Sequence, residues 1–174
     1  PIQQSHFMTV DTFTNTFGML TVLAAVIILK RKTIKISSTN LVLSAWKTYW
    51  PYLLFGIALG MATASKINAV SLALLLPLVE LVNYFQITNP DERQPLLKLI
   101  GPVAFAAIVS FLTFRILQPY AFSGPGFLNL SINPDWWNGL KSLQAQSRGE
   151  VDFPPALQWT RRPATFALSN LLKW

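Results

Sequence analysis

Four apolar runs follow one another along this chain, and they limit its possible folds more than any other feature. Residues 13–29 read FTNTFGMLTVLAAVIIL, and residues 49–64 read YWPYLLFGIALGMATA, a run that can be entered earlier from Leu41. Residues 69–85 read AVSLALLLPLVELVNYF, and residues 96–117 read LLKLIGPVAFAAIVSFLTFRIL. A helix needs about 20 mainly apolar residues to cross a bilayer, with a lower bound of about 17. A helix bordering a soluble core shows an apolar and a polar face, whereas these runs are apolar all round. Charged residues make up 12% of the chain, half the share of about 25% that is usual in soluble domains. The expected fold is all-α: a polytopic transmembrane helix bundle over residues 1–119.

The loops give the expected orientation. Between the first two runs lie Lys30, Arg31, Lys32, Lys35 and Lys47, and between the last two lie Arg93 and Lys98 beside Asp91 and Glu92. Short loops rich in Lys and Arg stay cytoplasmic. Loops 30–48 and 86–98 are therefore expected inside, and residues 118–162 outside, in an integral protein of the plasma membrane. The formal net charge of +7 raises nucleic acid as a partner. The cations, however, stand at the ends of apolar runs, where membrane orientation puts them, so nucleic acid is discounted and the lipid bilayer is the expected partner. The absence of cysteine excludes disulfides, thiolate nucleophiles and cysteine-based zinc sites.

Within the runs, Gly56, Gly60 and Ala64 recur every four residues and form a ridge that lets another helix approach closely. Pro51, Pro77 and Pro102 are expected to bend or start helices. Glu80, near the cytoplasmic end of its run, is expected to snorkel to the interface. Past Gln118 the composition changes. In NPDWWNGLKSLQAQSRG, Asn133 suits a helix cap, Pro134 the first helical position and Gly149 the stop. Trp136, Leu140 and Leu143 share one face of this segment. An interfacial amphipathic helix over about 134–147 is expected within an extracytoplasmic loop of residues 120–162. Residues 163–174 read as the start of a truncated further span. With Pro1 at one end and an apolar run stopping at Trp174 at the other, the chain is expected to be an internal fragment of a longer protein.

The polar groups expected outside fall into three clusters. The first holds His6 and Asp11; Asp11 reads equally as a helix cap and as a carboxylate held at the membrane face. The second is Lys66 with Asn68. The third gathers Arg115, Gln118 and Tyr120 with the later Asp152, Gln158, Trp159, Arg161 and Arg162. Arg115 can snorkel, or its planar donor fork can grip a phosphate. Its convergence with Lys66, Arg161 and Arg162 on one side favours the phosphate. No phosphate-loop, dinucleotide, zinc-protease or nucleophile-elbow motif is present, and no metal-ligand spacing is visible. NLS at residues 129–131 fits a glycosylation acceptor.

The segments QQSHFMTVDTFTNTF, GIALGMATASKINAVSLALLLPL and RILQPYAFSGPG resemble integral-membrane GT-C-type glycosyltransferases of the family 39 and protein-mannosyltransferase kind. The whole stretch, most of all NPDWWNGLKSLQAQSRGEVDFPPALQW, is similar to the uncharacterised polytopic "YYY" membrane proteins. The resemblance implies an extracytoplasmic site and transfer of a sugar from a polyprenyl-phosphate donor, with no further cofactor. It also implies an acidic pair in an outside loop upstream of Pro1. Asp11 matches the later acid at the outer start of a span, Lys66 the lysine closing the glycine-rich segment, and Arg115 stands where a phosphate-contacting cation would serve. Two rival expectations stand beside this: a transporter or lipid-binding protein without chemistry, and a structural membrane subunit.

Overall fold

The computed structural model of the chain describes residues 10–31, 41–86, 97–124, 126, 129–148, 150 and 165. They divide into two compact units, the boundary in the chain falling after Gln118. The first unit holds α1 (Val10–Lys30), α2 (Leu41–Ser65), a 3₁₀ helix (Ile67–Leu74) that runs into α3 (Leu75–Gln86), and α4 (Leu97–Leu117). The second holds a short 3₁₀ turn (Pro119–Ala121) and α5 (Pro134–Arg148). The fold is all-α, as the four runs require.

Among the described residues, three segments are long and apolar enough to cross a membrane: Asp11–Lys30, Ile67–Gln86 and Leu99–Leu117. The chain is a membrane protein. The 21 residues of α1 extend about 31 Å at 1.5 Å per residue, matching a hydrocarbon core about 30 Å thick. The fourth expected run is α2, which is long enough at 25 residues but carries Lys47, Tyr49, Trp50 and Tyr52 in its first half. It packs between α1 and α4, so much of its surface meets protein, and Pro51, Phe55, Ala58, Leu59 and Ala62 are buried. A helix so enclosed needs less apolar surface than its lipid-facing neighbours.

Packing contacts fix the directions. A Cβ on Gly56 would lie 2.6 Å from the Ala106 carbonyl, and one on Gly60 2.6 Å from the Ser110 carbonyl. Numbers rise together along this seam, so α2 and α4 run parallel, and the small-residue ridge has the packing role read from the sequence. Asp11 meets Lys66 while Arg31 meets Lys47 and Thr48, so α1 runs antiparallel to α2. Gly18 faces Leu72 and Ile28 meets Asn83, which sets Ile67–Gln86 parallel to α1. The core joins Ala24, Ala25 and Ile28 of α1 to Phe55, Leu59, Leu76 and Ala106. Large apolar side chains such as Met19, Leu78, Ile108 and Ile116 point outward, as a lipid solvent demands.

Inside lipid, backbone groups must be satisfied within the protein. Pro51 has no N–H, so the Lys47 carbonyl one turn earlier loses its helical donor. Arg31 fills the gap: its Nη1 donates to the Lys47 carbonyl and, at 3.3 Å, to that of Thr48, with the guanidinium 5.3 Å from the centre of the Trp50 ring. Arg31→Ala should therefore cost about 0.5–1.5 kcal/mol, the net contribution of an intramolecular hydrogen bond. In a Pro51→Ala background, where the N–H returns, the same change should cost less than about 0.5 kcal/mol. A double-mutant cycle of unfolding in detergent measures the difference.

In the second unit, Asn133 Oδ1 accepts from the Asp135 amide at 3.0 Å, and Pro134 opens α5. The cap and start expected from the sequence are both present. An antiparallel bridge pairs Phe122 with Ile132. The turn between them uses Gly124 at a φ of +93°, and Asn129 Oδ1 accepts from the Ser131 amide at 3.0 Å. Trp136 and Leu140 are half-buried, while Leu143 on the same face stays exposed.

Candidate functional site

The topology brings three of the expected residues to one end of the first unit. Asp11 stands in the first turn of α1, where its charge complements the helix dipole. It does not cap the helix, which already begins at Val10; its carboxylate takes a partner from across the bundle. That partner is Lys66, whose Nζ lies 2.7 Å from Asp11 Oδ1. Lys66 is presented by a break in the chain. Its amide donates to the Ala62 carbonyl at 2.9 Å, closing α2, and its own carbonyl accepts from Ala69, opening the 3₁₀ helix. Between the two its backbone is extended, with φ −152° and ψ 117°. The pair bridges residues 55 positions apart. Its side chains are 48% and 47% exposed, and an ion pair in that setting stabilises by about 0.2–1 kcal/mol. An ammonium carries three donors, so Lys66 retains two for an incoming anion.

Arg115 lies in the last turn of α4. Because α2 and α4 run parallel, with Thr113 against Gly60, that turn lies at the end of the bundle where α2 delivers Lys66. Arg115 is only 5% exposed. Snorkelling into solvent does not describe it; the guanidinium is held inside. One acid and two cations thus mark this end.

Thr63, three residues before Lys66, escaped the sequence reading. Thr16, Thr21, Ser65 and Thr113 each return their hydroxyl to the carbonyl four residues back, the usual way for a hydroxyl to satisfy itself in a membrane helix. The Thr63 hydroxyl is buried and makes no such bond among the described residues. Nothing in the local sequence distinguishes it from those four.

Gln118 ends the first unit, its amide bonded to the Phe114 carbonyl at 2.8 Å. Tyr120, in the second unit, is exposed, and its carbonyl accepts from Asn133 Nδ2 at 3.0 Å. His6, Asp152, Gln158, Trp159, Arg161 and Arg162 lie outside the described residues. Among the described residues no cluster of acidic or histidine side chains is suited to a metal ion.

Glu80 departs from expectation. It does not snorkel: it is 6% exposed, and its Oε1 accepts the Tyr52 hydroxyl. This polar pair lies toward the other end of the bundle, away from Asp11 and Lys66. Comparison with protein-family models, curated proteins and solved structures finds no match for this chain.

Proposed function

We propose that this chain is part of a GT-C-type integral-membrane glycosyltransferase, transferring a sugar from a polyprenyl-phosphate donor to an acceptor at the extracytoplasmic face. The observation that carries the reading is the meeting of Asp11 with Lys66 at the bundle end that also holds buried Arg115. In the reaction the bond between the anomeric carbon and the phosphate oxygen breaks. The acceptor oxygen bonds to that carbon, and the acceptor proton passes to a carboxylate. Positive charge grows on the sugar and negative charge on the departing lipid phosphate. Fixed cations in a site screened from water stabilise that negative charge. Arg115 and Lys66 take this role. Asp11 positions Lys66, and the general base belongs to the upstream acidic loop that the resemblance implies. In this reading α5 lies along the outer bilayer surface, where its tryptophans suit the interface.

The test uses the full-length protein, a polyprenyl-phosphate sugar as donor, and two variants of the pair. Asp11→Asn and Lys66→Gln should each shift stability by less than about 1 kcal/mol, as an exposed pair requires. Lys66→Gln should nevertheless slow transfer by about 10–100-fold, the worth of one hydrogen bond to a charged group. Initial rates and thermal midpoints in detergent read the two quantities separately. An undiminished rate in a folded Lys66→Gln protein removes Lys66 from the site.

A further inference from the structure

The bundle carries a second recess, independent of the proposed transfer site. It lies between α3 and α4, which touch only sparingly, and holds about 360 Å³ of space open along one side. Its walls are Pro77, Glu80 and Leu81 from α3 and Leu99, Ile100 and Val103 from α4. Both helices belong to segments long and apolar enough to cross a membrane, so a ligand that enters between them from the bilayer is a lipid. The lining is apolar except at Glu80, which is more than nine-tenths buried. Among the described residues its hydrogen bond is the one from Tyr52 to Oε1, which leaves Oε2 without a partner on a residue that lines the recess.

The chemistry of that oxygen selects the ligand. Whether the carboxyl is ionised or neutral, a hydroxyl can satisfy it, because a hydroxyl both donates and accepts. An ammonium only donates, and a phosphate or carboxylate sets a second acceptor, and with it a second anion, against the first. Depth points the same way. Glu80 is six residues from the end of α3 at Gln86, about 9 Å along the axis, below the level of charged head groups, where a formal charge is expensive. We propose that this recess binds a neutral lipid alcohol, its hydroxyl hydrogen-bonded to Glu80 and its chain lying against Leu99, Ile100 and Val103.

The experiment uses the full chain in phospholipid nanodiscs with oleyl alcohol carrying a photoreactive group in its chain, and maps the cross-links by mass spectrometry. Cross-links are expected on residues 77–81 and 99–104, and unlabelled oleyl alcohol should displace them, while oleate, oleyl phosphate and oleylamine should not. Glu80→Leu should reduce capture about tenfold, as the loss of a hydrogen bond to a carboxyl group predicts. Ile100→Trp should block the recess without touching the Tyr52–Glu80 bond. Ile100 is 61% exposed, so this variant folds even if loss of the carboxyl disturbs packing. Labelling spread evenly over outward residues such as Met19 and Ile108, equal competition by the amine or the acids, or undiminished capture by Ile100→Trp would each overturn the assignment.

Discussion

On the proposed function, Arg115→Ala in the full-length protein is expected to lower transfer from a polyprenyl-phosphate sugar by about 10²–10³-fold, the usual loss when one preorganised donor to a developing anion is removed. The size of the effect follows from burial. A guanidinium in water is screened and worth little, whereas Arg115 is 5% exposed, where its field is screened much less. The loss should fall on kcat more than on KM if the cation faces charge that develops only during transfer. Arg115→Lys keeps the charge but loses the planar fork that matches two phosphate oxygens, so it should recover part of the rate and not all of it. Because removing a buried charged group can also disturb the fold, the thermal midpoint in detergent accompanies each rate. Normal folding with unchanged transfer by Arg115→Ala would exclude the residue from the mechanism.

The parts of this molecule that could be read in the sequence are those fixed by neighbours a few residues away. The spans follow from apolar length, and the Asn133–Pro134 start of α5 from capping chemistry within three residues. The seam at Gly56 and Gly60 follows from a spacing of four. Asp11, Lys66 and Arg115 were legible as a group, since loop charge and helix count alone assign them to one end. Their particular relations were not. The ion pair between Asp11 and Lys66 joins residues 55 positions apart, and of the two equal readings of Asp11 it favours the carboxylate held at the membrane face over the helix cap. The burial of Glu80 ran against the expectation of snorkelling, and that of Arg115 sets aside the snorkelling alternative, because long side chains reach water only where neighbouring helices leave a path. Tyr52, 28 positions before Glu80, gives that acid a partner inside. The 3₁₀ stretch Ile67–Leu74 was equally hidden. Pro77, which cannot donate back to Ala73, removes one reason for that segment to hold α-helical spacing.

Gly60→Val is expected to loosen the α2–α4 seam and to destabilise the bundle by about 1–3 kcal/mol, as overpacking does. The geometry leaves little room for relief. A Cβ at Gly60 would lie 2.6 Å from both the Ser110 carbonyl and Thr113 Cβ, and one at Gly56 would lie 2.6 Å from the Ala106 carbonyl and 2.8 Å from Val109 Cβ. Backbone carbonyls cannot rotate away as a flexible side-chain end can, so α4 must move as a body. In lipid no hydrophobic force returns it, because acyl chains are as apolar as the side chains they replace. Gly60→Ala should already show much of the loss, since the first carbon is the one that collides. A Gly56→Val, Gly60→Val pair should cost less than the sum of its parts, because a helix displaced by one valine no longer meets the second. Gly101→Ala is the control: a Cβ there has no atom within 4 Å, and stability should hold within about 1 kcal/mol. Unfolding in detergent reads these variants together with Gly56→Val alone. The seam also sets Arg115 at the end where Lys66 emerges, so the glycine variants should lose sugar transfer as the bundle opens, and a Gly60→Val protein with full stability would mean that α2 and α4 are not held in this register.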